Sequence, residues 1–559
     1  MRRQSSPWLR WSVVGIDPTF TGLGTQLVHT TPDAAETAWV TRQRNAELDC
    51  SVNLIDTKAE GGDFPFITMK PCLRVPAPDA VLVSIFKQQR SPAYCTYLLR
   101  DGGRRHSSRR SIQTSAPKAR PVALPAASLS TSSSPSTSSQ QHETAEHSMS
   151  TLALLPLSQV LRTYFITSVS SSPVLLEAST SILRRMLNSR NPLLRIDTNP
   201  LMRGLLWNTF YKQFCAGETE TQVSKTCQEL RKQGYAGVIL EYAPEVLADT
   251  EGNETEDVAF WRQGMLDSVH MAEPGDFIGL KWSGMGPEAM RRMKAGKEPT
   301  ERMSEAMHAL CKAAAEKNIA LLPAAEETWS LRGFHDWCLR MQRVYNRGGK
   351  SVVYSTYQVY LKQMPDILAK HLAIAKQEGY TLGIKVVRGA YLGTDDRKLM
   401  HSTIEATHNA YDQVASALIQ RKYNEVLKPA EGASDQPLPN TNVVLATHNH
   451  ESVKRAQALR RDQAIRGEPL TSLTFAQLQG MADEVSCSLI AAAKASQDNE
   501  KAVQERVFKC TTWGPVYDCL NYLLRRAAEN KDAAGRTHET RNAMRDELWR
   551  RMKGTFGLA

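Results

Sequence analysis

What this chain of 559 residues lacks narrows it before any motif is read. Its ten cysteines include no Cys-x-x-Cys pair and no cysteine–histidine metal spacing, which argues against a disulfide framework and against structural zinc. No uncharged apolar run reaches the roughly 18–20 residues that span a bilayer; the stretch 151–178 comes nearest and is broken by Arg162, Glu177 and many serines. No G-x-G-x-x-G follows a candidate strand, so a doubly wound dinucleotide-binding sheet lacks its fingerprint. His448-Asn-His450 has no third ligand at metal-binding spacing, and no metal is assigned. Acids are scarce in one place: between Met69 and His142 eleven Lys/Arg face only Asp79 and Asp101, which carries +9 of the formal net charge of +11. A nucleic-acid binder holds its basic patch on the folded domain. Here the charge sits on a tail, and nucleic acid is set aside.

That tail contains Arg104-Arg105-His-Ser-Ser-Arg109-Arg110-Ser-Ile-Gln-Thr-Ser, the arginine- and serine-rich, acid-poor composition of a mitochondrial transit peptide. Cleavage is expected near Ser111 or Ser115. Residues 1–68 mix turn formers, acids and scattered apolar residues without a period, and read as a disordered extension ahead of Met69 as initiator. The organisation expected is therefore an extension over 1–68, a transit-like segment over 69–120 and a Ser/Thr/Pro/Ala-rich linker over 121–150. A helical arm over 151–233, a barrel over 234–535 and a helical tail over 536–559 follow.

The barrel is read from alternation. Short β-branched runs stand at Gly237–Glu241, Ile278–Trp282, Ala320–Ala324, Ser351–Tyr354, Leu382–Val387, Asn442–Ala446, Leu473–Phe475 and Arg506–Phe508, each followed by an amphipathic helical stretch. Most intervals match the size of a βα unit, and the long one before Asn442 holds Lys428–Pro439, whose Pro/Gly/Asp content marks a surface insertion. Eight such repeats predict an α/β protein with a (β/α)8 barrel. Polar residues collect at the strand C-terminal ends, where barrels do chemistry: Lys281, Glu326, Gln358, Arg388 with Tyr391, and Thr447-His448-Asn449. After the last strand, Tyr522, Arg525, Arg526 and Glu529 fall at i, i+3, i+4 and i+7, one helical face. An arginine pair there can clamp a small carboxylate through paired N–H groups, with Glu529 offsetting the excess charge.

These residues carry a resemblance. Lys385-Val-Val-Arg-Gly-Ala-Tyr391-Leu, Thr447-His-Asn449, Gln477-Leu-Gln-Gly-Met481-Ala-Asp483 and Tyr522-Leu-Leu-Arg-Arg-Ala-Ala-Glu529-Asn resemble the signatures of the proline dehydrogenase family. Tyr354-Ser-Thr-Tyr-Gln358 and Phe214-Cys-Ala-Gly-Glu218-Thr look like its eukaryotic, especially fungal, branch. The resemblance, over roughly residues 200–535, implies a distorted (β/α)8 barrel of the TIM type. It implies an FAD-dependent oxidation of L-proline to Δ1-pyrroline-5-carboxylate, with electrons passed to ubiquinone by a peripheral protein on the matrix face of the mitochondrial inner membrane. It also implies roles. Arg525 and Arg526, with Lys281, would grip the substrate carboxylate, while Tyr522 and Leu478 would pack on the ring. Lys385 would sit at the flavin edge. Gln358, Arg388, Gly389, Ala390, Tyr391, Thr447, His448 and Asn449 would hold the cofactor.

Three positions depart from the family pattern. Strand three usually ends Asp-Ala-Glu and here reads Ala324-Ala-Glu326; strand four has Ser355 for an asparagine; strand eight has Cys510 where a tyrosine covers the ring's far edge. The change at Cys510 opens space in the substrate pocket, so 4-hydroxyproline is an alternative substrate and a diverged flavin-binding paralogue with little activity is a second alternative. A reading from another class is a non-flavin barrel lyase with Lys281 as Schiff-base lysine.

Overall fold

The computed structural model describes residues 150–557 apart from 190, 192–194, 197–198, 245–251, 433–436, 497–501 and 530–533, and upstream only the backbone of three strands. Those strands, Leu27–Val28, Cys50–Ile55 and Phe66–Pro71, form an antiparallel sheet with Phe66–Pro71 in the middle, in a unit separate from the one beginning at Thr137. The expected transit-like segment and linker lie otherwise outside the described residues.

In the larger unit eight parallel strands run in the order in which the chain makes them. They are β1 (Gly237–Tyr242), β2 (Phe277–Leu280), β3 (Ala320–Pro323), β4 (Ser355–Gln358), β5 (Leu382–Val387), β6 (Thr441–Ala446), β7 (Ser472–Leu478) and β8 (Arg506–Trp513). β8 pairs β1 along Phe508–Trp513 and Gly237–Tyr242. The remaining seam, between β3 and β4, is closed by a bridge between Leu321 and Val353, with bonds of 2.6 Å from Leu321 N–H to Val352 C=O and 2.9 Å from Tyr354 N–H to Leu321 C=O. The period of two sorts each strand. Ile239, Phe277, Leu322, Tyr354, Val444, Ala476 and Phe508 fill the barrel interior. Their neighbours Val238, Ile278, Leu321, Val443, Phe475 and Val507 point outward into the helix layer.

The thin seam corrects one boundary. Ser351–Tyr354 has strand composition, but the Asn346 side chain accepts the Val352 and Val353 N–H groups at 2.8 and 2.9 Å and takes those donors from a ladder. The paired strand begins instead at Ser355, opposite Ile384. β7 and β8 run further than the apolar runs at Leu473–Phe475 and Arg506–Phe508 suggest, because the polar residues that follow stay buried. Lys509 is the extreme case, 1% exposed in mid-strand. Its ammonium pairs with the fully buried Asp483 at 2.8 Å and donates to the C=O groups of Leu478 and Met481.

The arm holds α1 (Leu157–Ser170), α2 (Pro173–Leu187) and α3 (Pro200–Leu206). Pro at the first turn of α2 and α3, and the Asn199 side chain capping α3, start two of these helices. The arm then crosses to the barrel as a short strand, Cys215–Gly217, parallel to the end of β8, which the sequence does not announce.

A buried polar group joins β4 to α4 (Leu331–Tyr345) and α5 (Met364–Glu378). His335 Nδ1 lies 2.9 Å from the Ser355 hydroxyl and His371 Nδ1 lies 2.9 Å from the Tyr357 hydroxyl. Burial holds both imidazoles neutral, with His371 pushed down from 6.5 to about 4. The unfolded chain takes up these protons first as pH falls. Stability is therefore expected to be whole above pH 6.5 and to drop between there and about pH 4, by about 3 kcal/mol for His371 alone. Urea unfolding of the parent and of His371→Gln across that range checks this: the variant should lose the steeper part of the slope.

Candidate active site

Polar and ionisable side chains stand at or just past the C-terminal ends of most of the barrel strands. Lys281, just past β2, lies with its Nζ 3.7 Å from the Glu326 carboxylate beyond β3. Position 324 is alanine, and Glu326 pairs with this lysine. Tyr391, beyond β5, is buried and bonds to Arg526. Burial raises its phenol above the usual range, and Lys281 and Arg526 oppose that rise. Lys281, Glu326, Tyr391 and Arg526 thus meet across the barrel mouth from two strand ends, one βα loop and a helix. That helix is α8 (Val516–Glu529), which follows β8. Arg526 lies with its guanidinium carbon 5.4 Å from the Tyr522 ring centre, one turn back along the helix. Arg525 is half-buried beside it. The Glu529 side chain lies outside the described residues.

A second cluster was hidden from sequence reading. Glu241, at the end of β1, accepts a 3.0 Å hydrogen bond from the Tyr522 hydroxyl and faces the Cys510 thiol at 3.9 Å. Burial and the Glu241 carboxylate push the Cys510 thiol up, so it stays protonated and serves as a wall of the pocket rather than a nucleophile. The one signal for Glu241 is an acid inside an otherwise apolar strand.

The third cluster centres on Arg388. Arg388 is held rigidly: its guanidinium donates to His408 Nδ1 at 3.0 Å, Thr447 Oγ1 at 2.7 Å and Ser452 Oγ at 2.7 Å, and stacks 4.2 Å from the Tyr411 ring centre. Asn449 caps α6 (His450–Ile465) through the Ser452 N–H at 2.9 Å, so a helix N-terminus opens beside that guanidinium. Amide N–H groups and an arginine together suit a phosphate. His448 Nε2 accepts the Leu478 N–H at 3.1 Å, which leaves its ring proton on Nδ1. Gln358 is buried and donates to the Glu326 C=O at 2.8 Å. Lys385 is half-buried on β5, within electrostatic reach of Cys510.

The loop after β5 is fixed by one glycine and one acid. Gly389 has φ +147°, and a Cβ there would lie 2.2 Å from the Tyr360 ring, so no other residue fits. Tyr360 donates to Asp395 at 2.6 Å, and Asp395 also accepts from the Thr328 N–H and hydroxyl, tying the loops after β3, β4 and β5 together. Ala390, between Gly389 and Tyr391, is exposed.

A cavity of about 250 Å³ runs along Leu478, Cys510, Tyr522 and Arg526 and continues beneath the arm. A smaller one of about 70 Å³ lies against Glu241, Lys281 and Glu326.

The fold and this rim define a (β/α)8-barrel enzyme with a cation-lined pocket and an anion cradle at one mouth of the barrel. The chain belongs to the proline dehydrogenase family, whose profile, described as "Proline dehydrogenase", matches residues 223–539. It is 29% identical over 404 residues to "Probable proline dehydrogenase, mitochondrial" of Schizosaccharomyces pombe, covering 62% of this chain and 80% of that protein. It is 28% identical over 363 residues to "Proline dehydrogenase 1, mitochondrial" of Homo sapiens, covering 62% of this chain and 56% of that one. Among solved structures, proline utilization A from Bdellovibrio bacteriovorus is similar at 14% identity and a TM-score of 0.48, over 68% of this chain and 38% of its own.

Proposed function

We propose that this protein oxidises L-proline to Δ1-pyrroline-5-carboxylate with FAD as cofactor and a quinone as electron acceptor, at the matrix face of the mitochondrial inner membrane. The observation that carries this reading is the convergence of Arg526, Lys281 and Glu326 on Tyr391 at the barrel mouth.

The residues present fit FAD. Arg388, Thr447, His448 and the amide end of α6 would suit its pyrophosphate, and Gln358, Lys385, Asn449 and the Gly389–Tyr391 turn would hold the rest. Bound there, FAD supplies a two-electron acceptor for hydride from the substrate carbon next to nitrogen. The chain's own groups do the rest. Arg525, Arg526 and Lys281 bind the carboxylate, each charge-assisted contact contributing about 1.5–3 kcal/mol. Tyr522 and Leu478 bracket the ring, with the Tyr522 hydroxyl oriented by Glu241. Lys385, within β5, would supply positive charge to favour the reduced form of a bound flavin.

A second substrate, 4-hydroxyproline, is favoured by one specific feature: the small Cys510 thiol, on the wall of the larger cavity, faces the Glu241 carboxylate, an acceptor for a ring hydroxyl. Anaerobic bleaching of the flavin absorbance, titrated with L-proline and with trans-4-hydroxy-L-proline, decides both points. Bleaching by proline at the lower concentration is the expected result; no bleaching by either, with flavin bound, would overturn the proposed activity. Cys510→Tyr is expected to fill the space and shift preference towards proline by about tenfold, the scale of one changed pocket contact. The ratio of kcat/KM for the two substrates reads this directly.

A further inference from the structure

Three successive helices of the arm are apolar on the side that faces away from the protein as well as on the side that packs. α1 buries Val160 and Ile166 yet exposes Leu157, Leu161 and Phe165 at i, i+4 and i+8; α2 exposes Val174 and Ile182, and α3 exposes Leu201. These six side chains are between 50% and 82% exposed. Large apolar surface gathered on one element of a protein marks an interaction site. A helix apolar on both faces belongs inside a protein or against lipid. The charge around the patch chooses between these. α1 contains no acid, α2 has Glu177 alone, and α2 ends in the exposed pair Arg184-Arg185. Apolar stripes flanked by arginines are the composition of a surface that lies in the plane of an anionic bilayer. No helix among the described residues is long and apolar enough to cross a membrane, so contact through the arm would be peripheral. The arm also roofs the larger cavity, which runs from Ile166 and Leu183 to Tyr522 and Cys510.

We infer that α1–α3 form a docking surface for a bilayer containing anionic phospholipid, seated so that the cavity opens from the lipid side towards the pocket. This names the surface for the peripheral association proposed above and rests on that reading.

Flotation of the full-length protein with vesicles of phosphatidylcholine, with and without phosphatidylserine, tests it. The protein is expected to float with the phosphatidylserine vesicles and far less with phosphatidylcholine alone. Leu161→Ser with Phe165→Ser should weaken vesicle binding about a hundredfold, and Arg184→Glu with Arg185→Glu should abolish the preference for phosphatidylserine. Both variants should keep parental flavin bleaching by proline in the absence of vesicles, since none of these residues touches the pocket. A parent chain that does not float, or a Leu161/Phe165 variant that floats equally, overturns the inference. Equal binding to both vesicle types overturns its anionic-lipid part. Conversion of a dimer to a monomer by the Leu161/Phe165 change, without vesicle binding, would assign the surface to a second copy of the chain instead. Loss of proline bleaching in the parent would count against the proposed catalysis while flotation still judged the surface.

Discussion

Lys509→Met is expected to lower the unfolding free energy by about 3–5 kcal/mol, the cost of leaving one partner of a buried ion pair uncompensated. In a folded unit of this size that is a fall of about 5 °C in Tm. The ammonium of Lys509 is almost wholly enclosed and Asp483 is fully enclosed. Asp483 also accepts from Gln159 of the arm at 3.2 Å, and Lys509 gathers the Leu478 and Met481 C=O groups. One pair therefore joins β8, the first residue of α7 (Asp483–Ala495), the arm and the loop that presents Leu478 to the pocket. Ala482, just before α7, is held at φ +50°, a conformation that costs a non-glycine residue. The second change, Asp483→Leu on the Lys509→Met background, should recover much of the loss, because two apolar groups of similar volume replace the pair. Calorimetry or urea unfolding of the parent and the two variants measures it; a single variant as stable as the parent would contradict the argument.

Arg526→Met is expected to lower kcat/KM for proline roughly hundredfold, with far-UV circular dichroism unchanged. Two parallel charge-assisted bonds to a carboxylate would be lost, at about 1.5–3 kcal/mol for a contact of this kind, and Tyr391 would lose its partner in the same step. Arg526→Lys keeps the charge without the planar fork and should still lose about tenfold. Steady-state rates with a soluble dye acceptor separate the cases. An unchanged kcat/KM in Arg526→Met would remove this residue from the pocket and shift the clamp to Arg525 and Lys281.

The two predictions differ in how far the sequence alone leads to them. Arg526 was legible because a helix puts residues at i and i+4 on one face whatever surrounds it, so Tyr522 and Arg526 could be paired on paper. The strands were legible for a similar reason: fully buried parallel strands read as continuous β-branched runs, and the rim follows from where those runs end. Lys509 was legible only as a polar residue after an apolar run, and so as a strand end. Its meaning depends on Asp483, which reaches it across the space between β8 and α7. Glu241 was similarly silent. An acid closing a strand looks like a residue turning to solvent until Tyr522 and Cys510 are seen converging on it.

The seam between β3 and β4 shows the same division in the backbone. Ser351–Tyr354 has the side chains of a strand, yet Asn346 removes the N–H groups a ladder would need. Composition alone cannot report a competing hydrogen bond from a side chain several residues away. Periodicity and local chemistry are therefore written in the chain itself: eight βα units, the helix face of Tyr522 and Arg526, and the motifs that place it in its family. Which polar groups are enclosed, and which partner meets each one, depends on the packing of the fold. Lys281 with Glu326, Lys509 with Asp483 and Tyr522 with Glu241 are contacts between residues far apart in the chain, and the cost of burying a charge is settled only where the fold brings its partner.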